Sequence, residues 1–97
     1  MTDWHALDRT YLMPTYSHLK LPIAIERGEG NYLYDMDGKQ YLDLFGGLAV
    51  NIIGHSHPEI VRTLKQQGEK FLHISNIYLN RPAILLAEKL VNHSIKG

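Results

Sequence analysis

Two adjacent glycines interrupt an apolar run that would otherwise be typical of a buried strand. Within residues 41–58 the apolar run breaks at Gly46-Gly47, continues, and stops at Gly54 before a predicted helix that begins at Pro58. Glycine loses more backbone freedom on folding than any other residue, so a glycine pair inside a strand costs stability. This cost indicates that another backbone or a ligand comes close there. Gly46-Gly47 is therefore the first candidate for a functional position.

The size and charge of the chain exclude several classes of function. Its 97 residues are enough for one small domain, which could bury roughly 60–65% of the unfolded surface. Ten basic residues balance ten acidic ones, which leaves no electrostatic footprint for nucleic acid or an anionic membrane. The lack of cysteine excludes disulfides and thiolate chemistry. No apolar run is long enough for a membrane span and the first residues lack the order of a secretion signal, so we expect a cytoplasmic protein.

The spacing of apolar and turn residues predicts an α+β arrangement. The Asp37-Gly38 dipeptide predicts a type I′ hairpin turn, because both residues tolerate positive φ. The last predicted helix is apolar on most sides and needs burial on more than one face. Three short strands and one other helix cannot cover it, so the chain resembles part of a larger structure. The predicted elements are a short helix capped by Thr2 or Asp3 and ended by Pro14, strands at 23–27, 31–35 and 40–45 in an antiparallel meander with a bend at 28–30, and helices from Pro58 and from Arg81-Pro82.

Six short motifs are distributed over nearly the whole chain. They are Tyr11-Leu12-Met13-Pro14-Thr15-Tyr16, Arg27-Gly28-Glu29-Gly30, the stretch from Tyr34 to Asp43, Gly46-Gly47-Leu48-Ala49-Val50-Asn51, Gly54-His55-Ser56-His57-Pro58, and Ser75-Asn76-Ile77-Tyr78. In residues, order and spacing they resemble the N-terminal segment of the class III pyridoxal-phosphate-dependent aminotransferases, and within them the acetylornithine aminotransferase group.

This resemblance implies the N-terminal part of a fold type I transferase. Residues 1–21 would form an N-terminal arm, residues 22–54 the meander, and residues 55–97 two helices that lead into a large cofactor-binding domain. The family's cofactor lysine, the aspartate facing the pyridine nitrogen and the phosphate-binding loop would all lie beyond Gly97. The resemblance therefore implies no catalytic or covalent cofactor-binding residue here, and a segment that is inactive by itself. The chain's lysines, none of them in the family's cofactor context, are Lys20, Lys39, Lys65, Lys70, Lys89 and Lys96.

The resemblance also implies residues on the substrate side of the cofactor. Gly46, Gly47 and Leu48 match positions in the pocket wall, and related ornithine aminotransferases place a tyrosine where this chain has Leu48. An aliphatic residue there would leave room for a longer, acylated side chain. Alternatively, the glycines only let the strand turn or pack tightly. Tyr16 is a candidate donor to the substrate carboxylate, although residues 17–21 make the following loop about two residues longer than the family pattern.

Two further groups of residues match positions at the family's dimer interface. Ser75, Asn76 and Tyr78 would reach towards the partner subunit's site, or would only end one helix and begin another. Trp4 and Tyr11 would lie on an arm that packs on the other subunit, or would only form the apolar face of a helix. The implied partners are therefore the rest of the same polypeptide and a second copy in a homodimer.

Three histidines raise the question of a metal site. His55 and His57 form a His-x-His pair and His73 is distant, with no carboxylate in a clear register. This is an incomplete ligand set for zinc. We expect instead that His57 caps the following helix, that His55 fixes the turn after Gly54, and that no metal binds.

The resemblance implies an arginine-biosynthetic enzyme that transfers an amino group from N-acetylornithine, or a related ω-amino compound, to 2-oxoglutarate. Ornithine, 4-aminobutyrate and other diamine aminotransferases remain alternatives. A stand-alone α+β interaction module is a third possibility. The uncovered apolar helix argues against that module, because large exposed apolar patches are rare on monomers.

Overall fold

The structure of the chain, a computed structural model, describes residues 1–16 and 19–94. It divides into two compact units, Met1–Val61 and Arg62–Gly97, where a single small domain is expected from the length. The elements are α1 (Trp4–Tyr11), β1 (Ile25–Glu29), β2 (Tyr32–Asp35), β3 (Gln40–Leu42), the single turn α2 (Gly46–Ala49), α3 (Pro58–Gly68) and α4 (Arg81–His93). The division at residues 21 and 54 stays a prediction.

The first helix begins as its capping residue predicts. The Asp3 carboxylate accepts a hydrogen bond from the Ala6 N–H at 2.9 Å, which satisfies one of the free amides of the first turn. The helix ends at Tyr11, before the Pro14 that was expected to end it. The next residue, Leu12, is extended, and its N–H donates to the Asp8 carbonyl. Lys20 forms an ion pair with Asp8, which ties the following segment to α1.

The three strands form an antiparallel meander in the order β1-β2-β3, as predicted. The first strand begins and ends two residues later than expected, because Gly28 pairs with Leu33 and Glu29 with Tyr32. The predicted bend at 28–30 is therefore wrong for its first two residues, and the chain turns at Gly30, where φ is +56°.

The second hairpin turn exists, but its type differs from the prediction. Only Gly38 has a positive φ, +81°, whereas a type I′ turn would require one at Asp37 as well. The Gly38 N–H donates to the Asp35 carbonyl, and the Asp35 carboxylate accepts from the N–H groups of Asp37 and Lys39 at 3.0 and 2.9 Å. This pattern is typical of a three-residue loop that ends in one left-handed glycine.

The third strand is shorter than predicted and ends at Leu42 rather than Phe45. The Asp43 N–H still donates to the Asn31 carbonyl at 2.9 Å. Beyond that bond the Asp43 side chain turns back towards the amides that follow it, so the backbone leaves the sheet. The strand therefore gives way to a turn where its apolar pattern continues.

In the second unit, α4 begins at the predicted residues. Asn80 caps it by accepting from the Ala83 N–H at 3.3 Å, and Pro82 lies in the first turn.

No described residue of the chain is buried, so this structure contains no core of the kind the length would allow. Within the described residues, no helix combines the length and apolar character needed to cross a membrane. The exposed apolar side chains of α4 are Ile84, Leu85, Leu86, Leu90 and Val91.

Candidate functional site

The segment between β3 and α3 contains a left-handed turn, which is rare in proteins. The residues of α2 (Gly46–Ala49) have φ values of +56°, +66°, +60° and +61° in order. The N–H groups of Val50 and Asn51 both donate to the Gly46 carbonyl at 2.9 Å and close the turn. Left-handed backbone costs an L-residue about 1–2 kcal/mol, so Leu48 and Ala49 carry strain that glycines avoid. We call residues Gly46–Ala49 the left-handed turn.

The two glycines of this turn are required by its backbone rather than by a close neighbour. A Cβ on Gly46 would meet no atom within 4 Å, and one on Gly47 would come no closer than 3.6 Å to Val50. The need for positive φ, which lets the chain turn, therefore explains the presence of glycine at both positions in this structure. Their substrate role stays a prediction. The side chain of Leu48 is 79% exposed, so no burial within this chain compensates its strain.

One carboxylate holds the start of the left-handed turn. Asp43 Oδ1 accepts from the N–H groups of Phe45 and Gly46 at 3.0 and 2.9 Å. Its other oxygen, Oδ2, lies 2.6 Å from His55 Nε2. Because a carboxylate can only accept, Nε2 carries the proton of this hydrogen bond. Three hydrogen bonds hold the pKa of Asp43 below its ordinary value. The bond from the Gly46 N–H has the largest effect, followed by those from His55 and Phe45.

The pairing of these two side chains, which we call the Asp43–His55 clasp, is among the better protected parts of the first unit. The side chain of Asp43 is 10% exposed and that of His55 is 17% exposed. The other ring nitrogen, His55 Nδ1, lies 3.5 Å from the Asn51 amide nitrogen. Both ends of the imidazole therefore face polar groups that follow β3.

Three glycines place His55 against the first strand. Its backbone forms a two-way bridge with Gly30, with N–O distances of 2.7 and 3.0 Å. A Cβ on Gly28 would lie 2.7 Å from His55 Cβ and Cγ, and a Cβ on Gly54 would lie 2.8 Å from the Gly30 carbonyl oxygen. Such distances are too short for real atoms. The close backbone approach that the sequence suggests for Gly46-Gly47 thus occurs at Gly28 and Gly54.

Sequence reasoning passed over Asp43 as a site residue. It assigned the residue to the predicted strand and named His55 only as the residue that fixes a turn. Two of the family motifs could have pointed to the clasp, because one ends at Asp43 and the other contains His55. Short polar side chains directly after a strand are also typical of capping.

The structure does not connect Tyr16 to the left-handed turn. Its side chain is exposed, and its carbonyl accepts a hydrogen bond from the Leu19 N–H at 2.9 Å. The expectation of a longer loop falls partly on Ser17 and His18, which lie outside the described residues. Trp4 and Tyr11 lie on α1, and both are exposed.

The segment before α4 forms a turn built on Ser75. The Tyr78 N–H donates to the Ser75 carbonyl at 3.0 Å, and the Ile77 N–H to its hydroxyl at 3.4 Å. The Asn76 and Tyr78 side chains are exposed. Ser75 thus performs the turn-forming role that the sequence left as an alternative, and the interface role of all three residues stays a prediction.

Two of the three histidines, His55 and His57, have local structural partners. His57 Nδ1 accepts from the Glu59 N–H at 3.2 Å and its carbonyl accepts from the Val61 N–H, so His57 caps α3 as expected. His55 is held in the clasp. Among residues 1–16 and 19–94, no three metal-ligating side chains come together.

Comparison with solved structures identifies the class of protein. The chain superposes on the adenosylmethionine-8-amino-7-oxononanoate aminotransferase of Methanocaldococcus jannaschii with a TM-score of 0.81 and 38% identity, covering 93% of this chain and 22% of that one. It matches the omega transaminase of Pseudomonas jessenii in complex with PMP with a TM-score of 0.78 and 33% identity, covering 96% and 22%. The fold is therefore that of an N-terminal aminotransferase segment, which confirms the predicted α+β class.

Sequence comparison then gives the family. The profile of the class-III aminotransferases matches residues 14–96. The acetylornithine aminotransferase of Archaeoglobus fulgidus is 48% identical over 88 residues, which cover 91% of this chain and 23% of that protein. The chain belongs to the class-III aminotransferase family, as the motifs indicated, and spans less than a quarter of the length of these relatives.

Alanine substitutions at Gly30 and Gly54 test the close approach of these two backbone segments. We expect Gly30→Ala to lower the free energy of unfolding by about 1–2 kcal/mol, because φ is positive but space is open. Gly54→Ala should cost at least about 1 kcal/mol more, because its Cβ also overlaps the Gly30 carbonyl. Urea denaturation of the two variants measures the difference. Equal losses would show that the Gly54–Gly30 contact imposes no constraint.

Acid should open the clasp. The pKa of Asp43 is lower in the folded chain than in the unfolded chain, so the ionised carboxylate stabilises the fold fully at neutral pH. This stabilisation declines below about pH 4 and is lost once the pH falls below the folded pKa. The Gly46 amide resonance, followed by NMR from pH 6 downwards, should report the loss of its acceptor.

The pKa of Asp35 is also lowered, chiefly by the Tyr41 hydroxyl, so Asp35 serves as the control. Asp43→Asn should therefore abolish the Gly46 transition, whereas Asp35→Asn should leave it in place.

Proposed function

We propose that this chain is the N-terminal segment of an enzyme that moves an amino group from N-acetylornithine, or a related ω-amino compound, to 2-oxoglutarate. Family membership and the Archaeoglobus relative, an acetylornithine aminotransferase, support the reaction class and the donor. The observation that carries a role for this segment is the left-handed turn, whose strained Leu48 is exposed. Strained backbone concentrates at functional sites, where surrounding structure maintains it.

In this proposal the left-handed turn forms part of the substrate pocket wall. Gly46 and Gly47 present bare backbone, and the aliphatic Leu48 offers an apolar surface of moderate size to the acyl end of the donor. Excluding water from such a pocket strengthens the polar contacts that orient the substrate. Tyr16 would donate a hydrogen bond to the substrate carboxylate. This chain's contribution is thus binding and orientation.

The enzyme's cofactor in this proposal is pyridoxal phosphate, which supplies the carbonyl group and electron sink that amino transfer needs. The family and the neighbour in complex with PMP support it. The family resemblance places none of this chain's lysines in the cofactor context, and of the described ones Lys20 pairs with Asp8 and Lys39 lies 5.1 Å from the Tyr41 ring centre. The remaining described lysines are on or next to exposed helices. We therefore assign cofactor attachment to the rest of the polypeptide and expect this segment alone to be inactive.

The proposal includes a homodimer in which this segment meets the second copy. Trp4 and Tyr11 on α1, and the turn residues Ser75, Asn76 and Tyr78, are all exposed and therefore accessible to a partner. Exposed aromatic side chains are enriched at protein interfaces. The proposed donor places the enzyme in arginine biosynthesis, and the cytoplasmic location is the one expected from the sequence.

A second candidate is another class-III activity. The Methanocaldococcus neighbour, at 38% identity, is named for a different amino-group reaction, so this N-terminal fold serves more than one substrate. The two candidates differ in the donor and share the reaction type. A stand-alone interaction module is disfavoured, because it would leave the apolar face of α4 exposed.

Donor competition tests the proposal directly. The complete polypeptide, loaded with pyridoxal phosphate, is assayed for glutamate formation from 2-oxoglutarate with N-acetylornithine, ornithine and 4-aminobutyrate. We expect the highest kcat/KM with N-acetylornithine. A higher kcat/KM with either other donor would replace the proposed substrate, and no glutamate from any donor would overturn the reaction class.

The pocket-wall role of Leu48 has its own test. Leu48→Tyr should raise the KM for N-acetylornithine roughly tenfold more than the KM for ornithine, because the larger ring would occupy the space of the acyl group. Ile52→Tyr is the matched control, since Ile52 is an equally exposed aliphatic residue just beyond the left-handed turn. Equal effects of Leu48→Tyr on both donors would remove Leu48 from specificity.

A further inference from the structure

The left-handed turn is connected to the β-sheet by an unbroken series of contacts. The backbone of His55 is bridged to Gly30, and its ring lies against the bare Cα of Gly28 in β1. Its Nε2–H donates to Asp43 at 2.6 Å, and the same carboxylate accepts from the Gly46 N–H at 2.9 Å. The turn is therefore linked to the sheet through two side chains, in addition to the backbone hydrogen bond from the Asp43 N–H to the Asn31 carbonyl.

A simple cap would not need this arrangement. One oxygen of Asp43 satisfies both amides at the start of the turn, and an exposed aspartate could do this alone. Here the second oxygen is directed at an imidazole, and both side chains are largely shielded from water. The histidine in turn requires Gly28, because any Cβ there would overlap its ring. The contacts thus fix the orientation of the carboxylate as well as its presence.

The residue that benefits is Leu48. It lies two residues after the amide that Asp43 holds, its φ is +60°, and its side chain has no cover within this chain. A strained residue relaxes unless its neighbours prevent it. Loss of the clasp would let the left-handed turn move, and a displacement of about 1 Å at a substrate contact can change rates a hundredfold.

We propose that Asp43 and His55 are positioning residues that fix Leu48, and that the clasp thereby sets the enzyme's discrimination between acylated and free ω-amino donors. This rests on the proposed role of the left-handed turn as a pocket wall. Neither residue needs to touch the substrate. Their effect is transmitted through the Gly46 amide.

Two substitutions at His55 separate positioning from general stability. In His55→Gln the side-chain amide nitrogen can reach the place of Nε2 and donate to Asp43. In His55→Asn the shorter side chain reaches only the place of Nδ1, near Asn51. In the complete enzyme we expect His55→Asn to lower the ratio of kcat/KM for N-acetylornithine over ornithine about tenfold, and His55→Gln to restore most of it. The kcat/KM for 2-oxoglutarate should change little in either variant.

Two substitutions at Asp43 provide an independent comparison. Asp43→Asn keeps an oxygen that can accept from the Gly46 N–H, whereas Asp43→Ala removes every acceptor. The donor ratio should therefore fall further in Asp43→Ala. If either pair of variants lowers all kcat/KM values in parallel, or leaves the ratio at the wild-type value, the clasp is only structural and the inference is overturned.

A spectroscopic measurement keeps this result separate from the choice of substrate. The methyl resonances of isotopically labelled Leu48 should shift and broaden in His55→Asn and Asp43→Ala, and should stay near the wild-type positions in His55→Gln. If the wild-type enzyme prefers another donor, the proposed substrate fails while the methyl signals still decide whether the clasp holds Leu48. Unchanged methyl signals in all variants would overturn the inference.

Discussion

The Asp43 carboxylate is the interaction on which the first unit depends. One oxygen accepts from two amides at the start of the left-handed turn, and the other accepts from His55, whose backbone is bridged to Gly30. A single side chain thus links the end of the meander, the start of the turn and His55. The two amide bonds are local, whereas the bond to His55 and the bridge between His55 and Gly30 join parts of the chain that the sheet does not pair.

This organisation suits a segment without a core. No described residue is buried, so burial of apolar surface does not hold the strained turn within this chain. Hydrogen bonds to an ionised acceptor are stronger than those between neutral groups, and they can maintain a local conformation where packing is absent. Many apolar side chains, those of α4 among them, are exposed in a chain that spans 23% of its Archaeoglobus relative.

The sequence predicted the order and type of the regular elements, because apolar spacing and capping residues act locally. Asp3 and Pro82 mark helix starts in the structure as they do in the sequence, and the structure adds Asn80 as the cap of α4. The family could be predicted as well, since its motifs cover nearly the whole chain. The third strand was extended too far, because its apolar pattern continues through Phe45 while the Asp43 side chain ends it.

What the sequence could not supply is the partner of each glycine. A glycine required by positive φ and one required by a close neighbour look the same in a sequence, and only the fold shows that Gly28 faces His55. The left-handed Leu48 was equally hidden, because an aliphatic L-residue is disfavoured in that conformation. The sequence therefore directed attention to Gly46-Gly47, whereas the close approaches in the structure occur at Gly28 and Gly54.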